Sequence, residues 1–145
     1  MKKRTSGKPL SANKHLLNAV LFASEDTFYQ HMEKAIADGA DIAHLEQQGE
    51  FLLDLAVERN SITITQHLLA RGASLPLVGP DEVDIVMKTA LNGNADLIAV
   101  LIDLGGMVPD SFDANFMTPL HYAIQTGSLS AVKALIDRGA DLELT

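Results

Sequence analysis

The chain has 145 residues, and 47% of them are hydrophobic, which suits one folded domain or one short array of repeats. It contains no cysteine, which excludes disulfide bonds, thiolate zinc sites and cysteine nucleophiles. Aromatic residues make up only 5% of the chain, which disfavours a fold rich in β-sheet.

Charge is unevenly distributed along the chain. The formal net charge is -8, yet no acidic residue precedes the five basic residues Lys2, Lys3, Arg4, Lys8 and Lys14. The remaining positions carry six basic and 19 acidic side chains. We expect residues 1–12 to form a basic flexible tail. We expect the acidic remainder to repel nucleic acid and membranes and to favour a protein partner with a basic surface. The alternative is that acidity only keeps the protein soluble.

The beginning of the chain loosely resembles a signal peptide. Basic residues precede an apolar stretch, but that stretch is short and Asn18 interrupts it. No apolar run reaches the roughly 20 residues of a membrane span. We therefore expect a cytoplasmic protein without membrane contact. Export by an N-terminal signal, or secretion as an effector, is the alternative.

Glycines mark a repeat in the sequence. They recur at spacings of 33, 33 and 34 residues, at Gly39, Gly72, Gly105 and Gly139. Each follows an apolar stretch, and glycine is typical of the residue that ends a helix. The predicted turn between two helices lies twelve residues earlier in each unit, at Thr27, Asn60, Gly93 and Gly127.

Apolar residues between turn and glycine occupy matching positions in the four units. In the last unit they are Ala131, Val132, Leu135 and Ile136, whose spacing places them on one face of a helix. A shorter apolar set precedes each turn. The pattern predicts a short helix, a tight turn, a longer helix and a loop in every unit.

The last unit also carries a motif, since residues 118–123 read Thr-Pro-Leu-His-Tyr-Ala. With its turn and closing glycine, this segment resembles the ankyrin repeat. The residues that match the family motif are Thr118, Pro119, Leu120, His121, Ala123, Gly127 and Gly139. The resemblance implies an all-α, ankyrin-repeat solenoid of four helix-turn-helix units with short loop or hairpin connections. The units span approximately residues 13–45, 46–78, 79–112 and 113–145.

Some positions depart from the family pattern. The first and third units lack the motif, Phe112 is an apparent one-residue insertion, and Phe116 stands where the family usually has glycine. Thr118 and Pro119 suit the cap and first position of a helix, and the resemblance gives His121 a structural hydrogen-bonding role.

Equivalent caps are predicted for two further helices. Asp84 and Asn18 have side chains that suit an N-cap. Phe51, at the matching position of the second unit, has no polar atom in its side chain and cannot act in this way.

Motifs for catalysis are absent from the sequence. The five histidines do not have the spacing of a zinc site, and there is no glycine-rich phosphate loop and no nucleophile elbow. We therefore expect no enzymatic activity, no metal and no cofactor. The alternative in this class is a hydrolase that uses the acidic cluster Asp81, Glu82 and Asp84.

The resemblance places partner binding on a concave face formed by loop tips and exposed positions of the first helices. The first two units contribute Glu25, Asp26, Gln47, Gln48, Glu50, Glu58 and Arg59. The last two contribute Asp81, Glu82, Val83, Leu91, Asn92, Ala114, Asn115, Phe116, Met117, Gln125 and Thr126. An exposed Phe116 with Met117 suggests an interface anchor. The alternative is that both fold back with Phe112 to cap the last repeat.

These features together predict a small non-catalytic module that binds a protein partner. It acts as an inhibitor, an immunity protein or an adaptor, and is a monomer or weak homodimer. One alternative is a secreted bacterial effector that engages a host protein. Another is an oligomerisation or structural unit that uses Leu142 and Leu144.

Overall fold

All regular structure is helical in the part of the chain that the computed structural model describes. That part comprises residues 2–75 and 82–144, with the side chains of residues 11–75 and 82–143. The all-α prediction is therefore confirmed. Contacts divide the chain into two compact units, Met1–Leu75 and Pro76–Thr145, each built around two helix pairs. The single repeat domain expected over residues 13–145 stays a prediction.

In three of the four helix pairs the first helix is shorter than the second, as predicted, whereas in the first pair the first helix is the longer one. Unit 1 contains α1 (Lys2–Phe22), α2 (Glu25–Ala37), α3 (Ile42–Gln47), α4 (Leu52–Glu58) and α5 (Ile62–Ala70). Unit 2 contains α6 (Ile85–Asn92), α7 (Ala95–Asp103), α8 (Pro119–Thr126), α9 (Leu129–Asp137) and a 3₁₀ helix (Leu142–Leu144).

The helix pairs stack in the same way inside each unit. In unit 1, α1 packs against α4 and α2 against α5. In unit 2, α6 packs against α8 and α7 against α9. Apolar side chains at the repeated positions fill the space between the helices. Among them, Leu53, Ile64, Leu97, Leu120 and Leu135 are at most 2% exposed.

Polar side chains at matching positions begin the second helix of three pairs. Ser61, Asn94 and Ser128 are the N-caps of α5, α7 and α9. Each side-chain oxygen accepts from the backbone N–H three residues later, at 3.1–3.2 Å. Since the first N–H groups of a helix lack internal partners, these caps explain why the chain can turn so tightly here.

The caps predicted for the first helices are observed in part. Asp84 caps α6, because its Oδ1 atom accepts from the Met87 N–H at 2.9 Å. Phe51 precedes α4 without a side-chain cap, as expected. The cap predicted at Asn18 is wrong, because Asn18 lies inside α1.

The first helix pair is longer than the other three. α2 has 13 residues, whereas α5, α7 and α9 have nine each, which amounts to about one extra helical turn. The turn predicted at Thr27 is therefore wrong, since Thr27 lies in the first turn of α2. The Ser24 hydroxyl at the N-cap position contacts the Thr27 hydroxyl at 2.9 Å instead of a backbone N–H.

The segment expected to be a tail is continuous with the first helix. α1 runs from Lys2 through the expected boundary at residue 12 without a break. Ala12 and Asn13 are already buried, and Asn13 Oδ1 accepts from the Asp41 N–H at 2.7 Å. The packed part of unit 1 thus begins by Ala12, and the flexibility of residues 1–12 stays a prediction.

The connection between the two pairs of unit 1 contains the short helix α3, where only a loop or hairpin was expected. Asp41 caps this helix, since its Oδ1 atom accepts from the N–H groups of Ala43 at 3.0 Å and His44 at 3.4 Å. Ile42 and Leu45 are buried and attach α3 to the core of unit 1.

Candidate protein-binding surface

The loop before α8 in unit 2, residues 113–117, forms a tight turn. The Asp113 N–H donates to the Met117 carbonyl oxygen at 3.1 Å, and the Phe116 N–H donates to the Asp113 carbonyl oxygen at 2.9 Å. The Asp113 Oδ1 atom closes the same turn by accepting from the N–H groups of Asn115 at 2.9 Å and Met117 at 3.0 Å. The turn therefore presents residues 114–116 to solvent.

A tyrosine of α8 holds the second oxygen of the same carboxylate. The Tyr122 hydroxyl donates to Asp113 Oδ2, and the Asp113 residue is buried. This hydrogen bond is the main reason that the pKa of Asp113 lies below its usual value; burial acts in the opposite direction, and the backbone N–H donors add to the lowering. The carboxylate in turn raises the pKa of Tyr122. At neutral pH, a charged acceptor and a neutral donor thus connect the loop to α8.

Phe116 adopts a left-handed backbone conformation at the tip of this turn, with φ of 61°. The ankyrin resemblance predicts glycine at this position, and the loop keeps the conformation that favours glycine although a side chain is present. For residues with a Cβ atom, the left-handed region costs about 1–2 kcal/mol. The backbone of Phe116 is therefore strained.

Two exposed rings lie together at this tip. Phe116 is 74% exposed and Phe112 is 45% exposed, and their rings stack with centroids 5.9 Å apart and planes 23° apart. Met117 is half-buried. We name Phe112 and Phe116 the aromatic tip. Its exposure argues against the alternative in which these rings fold back over the last helix pair.

Thr118 and His121 join the loop to the beginning of α8. Thr118 Oγ1 accepts from the His121 N–H at 3.4 Å, and His121 Nδ1 accepts from the Thr118 N–H at 2.9 Å. This reciprocal arrangement is a capping box, and Pro119 follows at the first helical position. The structural roles predicted for these three residues are observed. Gly127 ends α8 with φ of 77°, as the motif requires.

The predicted binding residues of unit 1 lie in three separate places, and all of them are exposed. Glu25 and Asp26 lie in the first turn of α2, the second helix of its pair, so the expectation that they belong to the first helix or to a loop tip is wrong. Gln47, Gln48 and Glu50 lie at the end of α3 and in the loop before α4, whereas Glu58 and Arg59 lie at the other end of α4.

Two of these residues of unit 1 connect neighbouring helix pairs. Glu25 accepts from the Ser61 hydroxyl at 2.6 Å and from the Thr63 hydroxyl at 3.4 Å. Arg59 Nη1 donates to the Val20 carbonyl oxygen at 2.7 Å. Both side chains therefore stabilise the stacking of the pairs.

The predicted residues of unit 2 divide between loops and the end of helices. Glu82 and Val83 precede α6, and Ala114, Asn115, Phe116 and Met117 form the loop before α8. Leu91, Asn92, Gln125 and Thr126 lie in the last turns of α6 and α8. The Thr126 hydroxyl donates to the Leu91 carbonyl oxygen at 2.6 Å, which connects these two ends. Asp81 lies outside the described residues.

One ring and one hydrogen bond of this surface were missed by the sequence reasoning. Phe112 was interpreted only as an insertion and a cap, although it lies four residues before Phe116. The bond between Tyr122 and Asp113 was not foreseen. The sequence does place an aspartate nine residues before a tyrosine. However, that spacing belongs to no helical pattern and to no known motif, so it did not predict a hydrogen bond.

The described residues give little support to a metal site, a membrane span or a catalytic acidic cluster. No group of three or more histidines and carboxylates that could hold a metal occurs among residues 11–75 and 82–143. None of the helices there has the length and apolar character to cross a membrane. In the proposed acidic cluster, Asp84 accepts from the Met87 N–H and from the Ser111 hydroxyl, so both of its oxygens have structural partners.

Comparisons with known proteins agree with this architecture. A family model described as ankyrin repeats, in three copies, matches residues 53–145, from α4 to the last residue. The chain is 28% identical to a mitochondrial disaggregase of Bos taurus over 127 residues, which covers 85% of this chain and 18% of that protein.

Two viral proteins are similarly related. A protein of Acanthamoeba polyphaga mimivirus named for ankyrin repeats is 25% identical over 131 residues, which covers 87% of this chain and 17% of that protein. A protein of fowlpox virus, also named for ankyrin repeats, is 28% identical over 100 residues, which covers 68% of this chain and 23% of that protein. The chain thus spans less than a quarter of the length of these relatives.

The matched span includes three of the four helix pairs, and the first pair stacks on the second in the same manner. Ankyrin repeats generally mediate contacts between proteins, and they do so through surfaces that stacked helix pairs present. On the basis of the family model and the stacked helix pairs, this chain belongs to the ankyrin repeat family.

Proposed function

We propose that this chain is a non-catalytic module that binds a protein partner, and that the aromatic tip is its anchor. The observation that carries the proposal is the combination of strain and exposure at Phe116. The left-handed backbone conformation of Phe116 lowers the stability of the folded protein by about 1–2 kcal/mol relative to a relaxed conformation. Its ring remains 74% exposed, so little burial compensates in the free protein.

The stacking of Phe116 on Phe112 offsets part of this cost. An aromatic pair contributes about 0.5–1.5 kcal/mol beyond the area that it buries, which at best balances the backbone strain. Strained residues persist mainly where they serve binding or catalysis. Exposed aromatic residues of this kind are frequent among the residues that dominate interface energies. A partner that buries the aromatic tip supplies the missing stabilisation.

The sign of the charge favours a partner with a basic surface. Beyond Lys14 the chain has 19 acidic against six basic side chains, and Asp26, Glu50 and Glu58 are exposed in unit 1. Such a surface steers basic partners towards it. Within this class of function, an inhibitor or immunity protein that neutralises a basic target is the role that the charge favours. Similarity to the disaggregase covers only a small share of that enzyme, and we propose no catalytic activity here.

Affinity capture with matched variants tests the proposal. Wild type, a Phe116→Asp, Met117→Asp variant and a Leu104→Asp control are immobilised and exposed to lysate of the source cell. Leu104 is 63% exposed in the same unit and stands at the end of α7, eight residues before Phe112 in the chain. We expect one stoichiometric protein on wild type and on the control, and its loss from the double variant.

The affinity of the purified partner gives the quantitative result. We expect the double variant to weaken binding by about 2 kcal/mol or more, roughly 30-fold in Kd, as for a dominant interface residue. Circular dichroism melting of all three proteins establishes that folding is retained. Equal affinity of the wild type and a folded double variant would exclude the aromatic tip as the anchor.

A further inference from the structure

The aromatic tip has one open ring face, and an open aromatic face attracts cations. Phe112 stacks along one side of the Phe116 ring, with the two planes only 23° apart. The Phe116 ring is nevertheless 74% exposed, so its other side is open to solvent. Because the face of an aromatic ring carries negative electrostatic potential, a positively charged group placed over it is stabilised.

The loop that holds the aromatic tip contains acidic residues and no basic one. Residues 104–117 join α7 to α8, and they include Asp110 and Asp113 but no lysine, arginine or histidine. The Asp113 carboxylate is buried and accepts from the Tyr122 hydroxyl. Since the Phe116 N–H donates to the Asp113 carbonyl oxygen at 2.9 Å, this carboxylate belongs to the same turn as the exposed ring. Its charge therefore adds to the negative potential around the aromatic tip.

Hydrogen bonds bring two further acidic residues of unit 2 to the same loop. The Ser111 hydroxyl, next to Phe112 in the chain, donates to Asp84 Oδ2. The Asp141 N–H donates at 2.8 Å to Oδ1 of Asp110, two residues before Phe112. The loops before α6, before α8 and after α9 therefore all place carboxylates near the aromatic tip.

Two of these carboxylates have an oxygen atom available for a ligand. Asp110 Oδ1 accepts from the Asp141 N–H, and Asp141 Oδ1 accepts from the Glu143 N–H at 2.9 Å. Neither Oδ2 atom has a partner among the described residues of unit 2. Asp84 and Asp113, by contrast, have structural partners on both oxygens. Asp141 is exposed and Asp110 is half-buried, so solvent reaches both acceptors.

An open ring face beside carboxylate oxygens matches the chemistry of one side chain in particular. Arginine carries a planar guanidinium that lies flat on an aromatic ring and donates several N–H bonds in its own plane. Lysine has a compact, strongly hydrated ammonium without a flat face. An apolar side chain contacts the rings but makes no use of the carboxylates.

We propose that the aromatic tip binds an arginine side chain of the partner. The guanidinium lies over the open face of Phe116, with its N–H groups directed towards the carboxylates of Asp110 and Asp141. This inference rests on the proposed function, because it names the chemical group that the anchor receives. Recognition then depends on positive charge and on a flat aromatic face together, and not on apolar area alone.

Peptides with one variable side chain test this proposal on the whole chain. The probe is acetyl-Gly-Ser-Arg-Ser-Gly-amide, and the comparison peptides contain citrulline, lysine or norleucine instead of arginine. Citrulline has nearly the shape of arginine but no charge. Binding is measured from NMR shifts of the Phe112 ring and of the backbone amides of residues 113–117. We expect weak binding of the arginine peptide and at least about 10-fold weaker binding of the citrulline peptide. Equal affinity of these two peptides overturns the proposal.

Variants of Phe116 separate the aromatic face from apolar size. Phe116→Leu retains an apolar side chain and removes the face, whereas Phe116→Trp enlarges the face. We expect the leucine variant to bind the arginine peptide about 3-fold more weakly or worse, and the tryptophan variant to bind it at least as tightly as wild type. Circular dichroism melting establishes that both variants fold. Wild-type affinity in a folded leucine variant contradicts the proposal.

Charge variants separate the local carboxylates from the net charge of the chain. Asp110→Asn removes a charge and retains an oxygen that can accept from the Asp141 N–H. Asp96→Asn removes the same charge in the first turn of α7, beyond the opposite end of α6 from Asp84, and is the matched control. We expect only Asp110→Asn to weaken the arginine peptide, by about 3-fold. An equal loss in both variants shows a response to net charge and overturns the proposal.

Substitutions in the captured partner separate this inference from the proposed function. Each interface arginine of that protein is replaced by alanine in turn. A loss of at least about 10-fold in affinity from one replacement supports the arginine site. A partner that is lost from the Phe116→Asp, Met117→Asp variant but tolerates every arginine replacement overturns the arginine site and leaves the proposed function intact. Arginine-peptide binding as expected, with no partner captured, supports the arginine site and counts against the proposed function.

Discussion

Arg138 and Asp103 form an ion pair with two contacts in unit 2. The pair connects α9 to α7, the second helices of the two helix pairs. Arg138 Nε donates to Asp103 Oδ1 at 3.1 Å, and Nη2 donates to Oδ2 at 3.0 Å. Arg138 follows α9, and Asp103 is the last residue of α7. In unit 1, Arg71 follows α5 and pairs with Glu33 of α2. In both units, an arginine that follows one second helix thus pairs with an acidic residue of the preceding second helix.

Removing this ion pair is expected to weaken the stacking of the last pair slightly. In a double-mutant cycle with Arg138→Met and Asp103→Ala, we expect a coupling energy of about 0.5–1 kcal/mol, because the two-point geometry is good but the pair is partly exposed. Urea unfolding of the four proteins measures it. The coupling decreases at high salt, and a coupling that is independent of salt would contradict an electrostatic origin.

Leu135 and Ile136 give a test of the helix register. Leu135 of α9 is 0% exposed, and its neighbour Ile136 is 41% exposed. We expect Leu135→Ala to lower the free energy of unfolding by about 2–5 kcal/mol, because a buried leucine leaves a cavity. Ile136→Ala costs distinctly less, since its side chain already contacts water. Equal losses in the urea unfolding of these variants would show that the register is wrong.

The backbone of Phe116 predicts an unusual order of stability. At most helical or extended positions, a protein with Gly is less stable than the same protein with Ala by about 0.5–1 kcal/mol. At position 116 both substitutions remove the ring and its stack on Phe112, but only Ala retains the strain of φ at 61°. We expect the Phe116→Gly variant to have a free energy of unfolding about 1 kcal/mol higher than that of the Phe116→Ala variant, as measured by urea unfolding. The opposite order would show that the turn relaxes in solution.

The pair of Asp113 and Tyr122 predicts how the loop responds to pH. The pKa of Asp113 is lower in the folded than in the unfolded chain, so its stabilising effect is present above about pH 4, the unfolded value, and is lost as the pH falls through the folded pKa. The pKa of Tyr122 is raised, so its contribution is present below about pH 10 and is lost as the pH rises through the folded value.

Thermal melting of Asp113→Asn against wild type measures this effect. The variant is expected to melt at lower temperature near neutral pH, and the difference between the two proteins narrows as the pH falls below about 4. Tyr122→Phe serves as the matched control, because it removes the donor and leaves the carboxylate. A difference that stays constant from pH 2 to neutrality would contradict the role of the Asp113 charge.

The acidic charge makes a prediction for the kinetics of partner binding. Once a partner is purified, we expect added salt to slow association more than it accelerates dissociation, because steering acts on the encounter. Stopped-flow or surface-binding kinetics at several salt concentrations measure both rates. An association rate that does not change with salt would remove the argument for a partner with a basic surface.

Much of the fold was predictable because the features that define each repeat are patterns among residues close together in the sequence. The apolar spacing, the glycines after the second helices and the Thr118 cap depend on near neighbours. The turn at Thr27 was predicted wrongly because α2 begins four residues too early for a strict period. The cap at Asn18 failed for a related reason, since α1 has no break there. Spacing alone does not show where a helix has gained a turn.

The binding surface was less predictable than the fold. Phe116 and Met117 could be placed at a loop tip from the motif that follows them. The stack with Phe112 and the bond between Tyr122 and Asp113 depend on how the loop returns to α8, which the sequence does not encode locally. The engagement of Glu25 and Arg59 with neighbouring helices likewise depends on stacking between repeats.

The extra turn of α2 gives the first helix pair a specific contact with the second. It brings Glu25 to the Ser61 and Thr63 hydroxyls at the beginning of α5. Two residues after the N-cap, where α5 has Thr63, α7 has the exposed acid Asp96. If the third pair were transplanted next to the first, Glu25 would face a like charge instead of a hydroxyl. At this contact the second and third pairs are therefore not interchangeable.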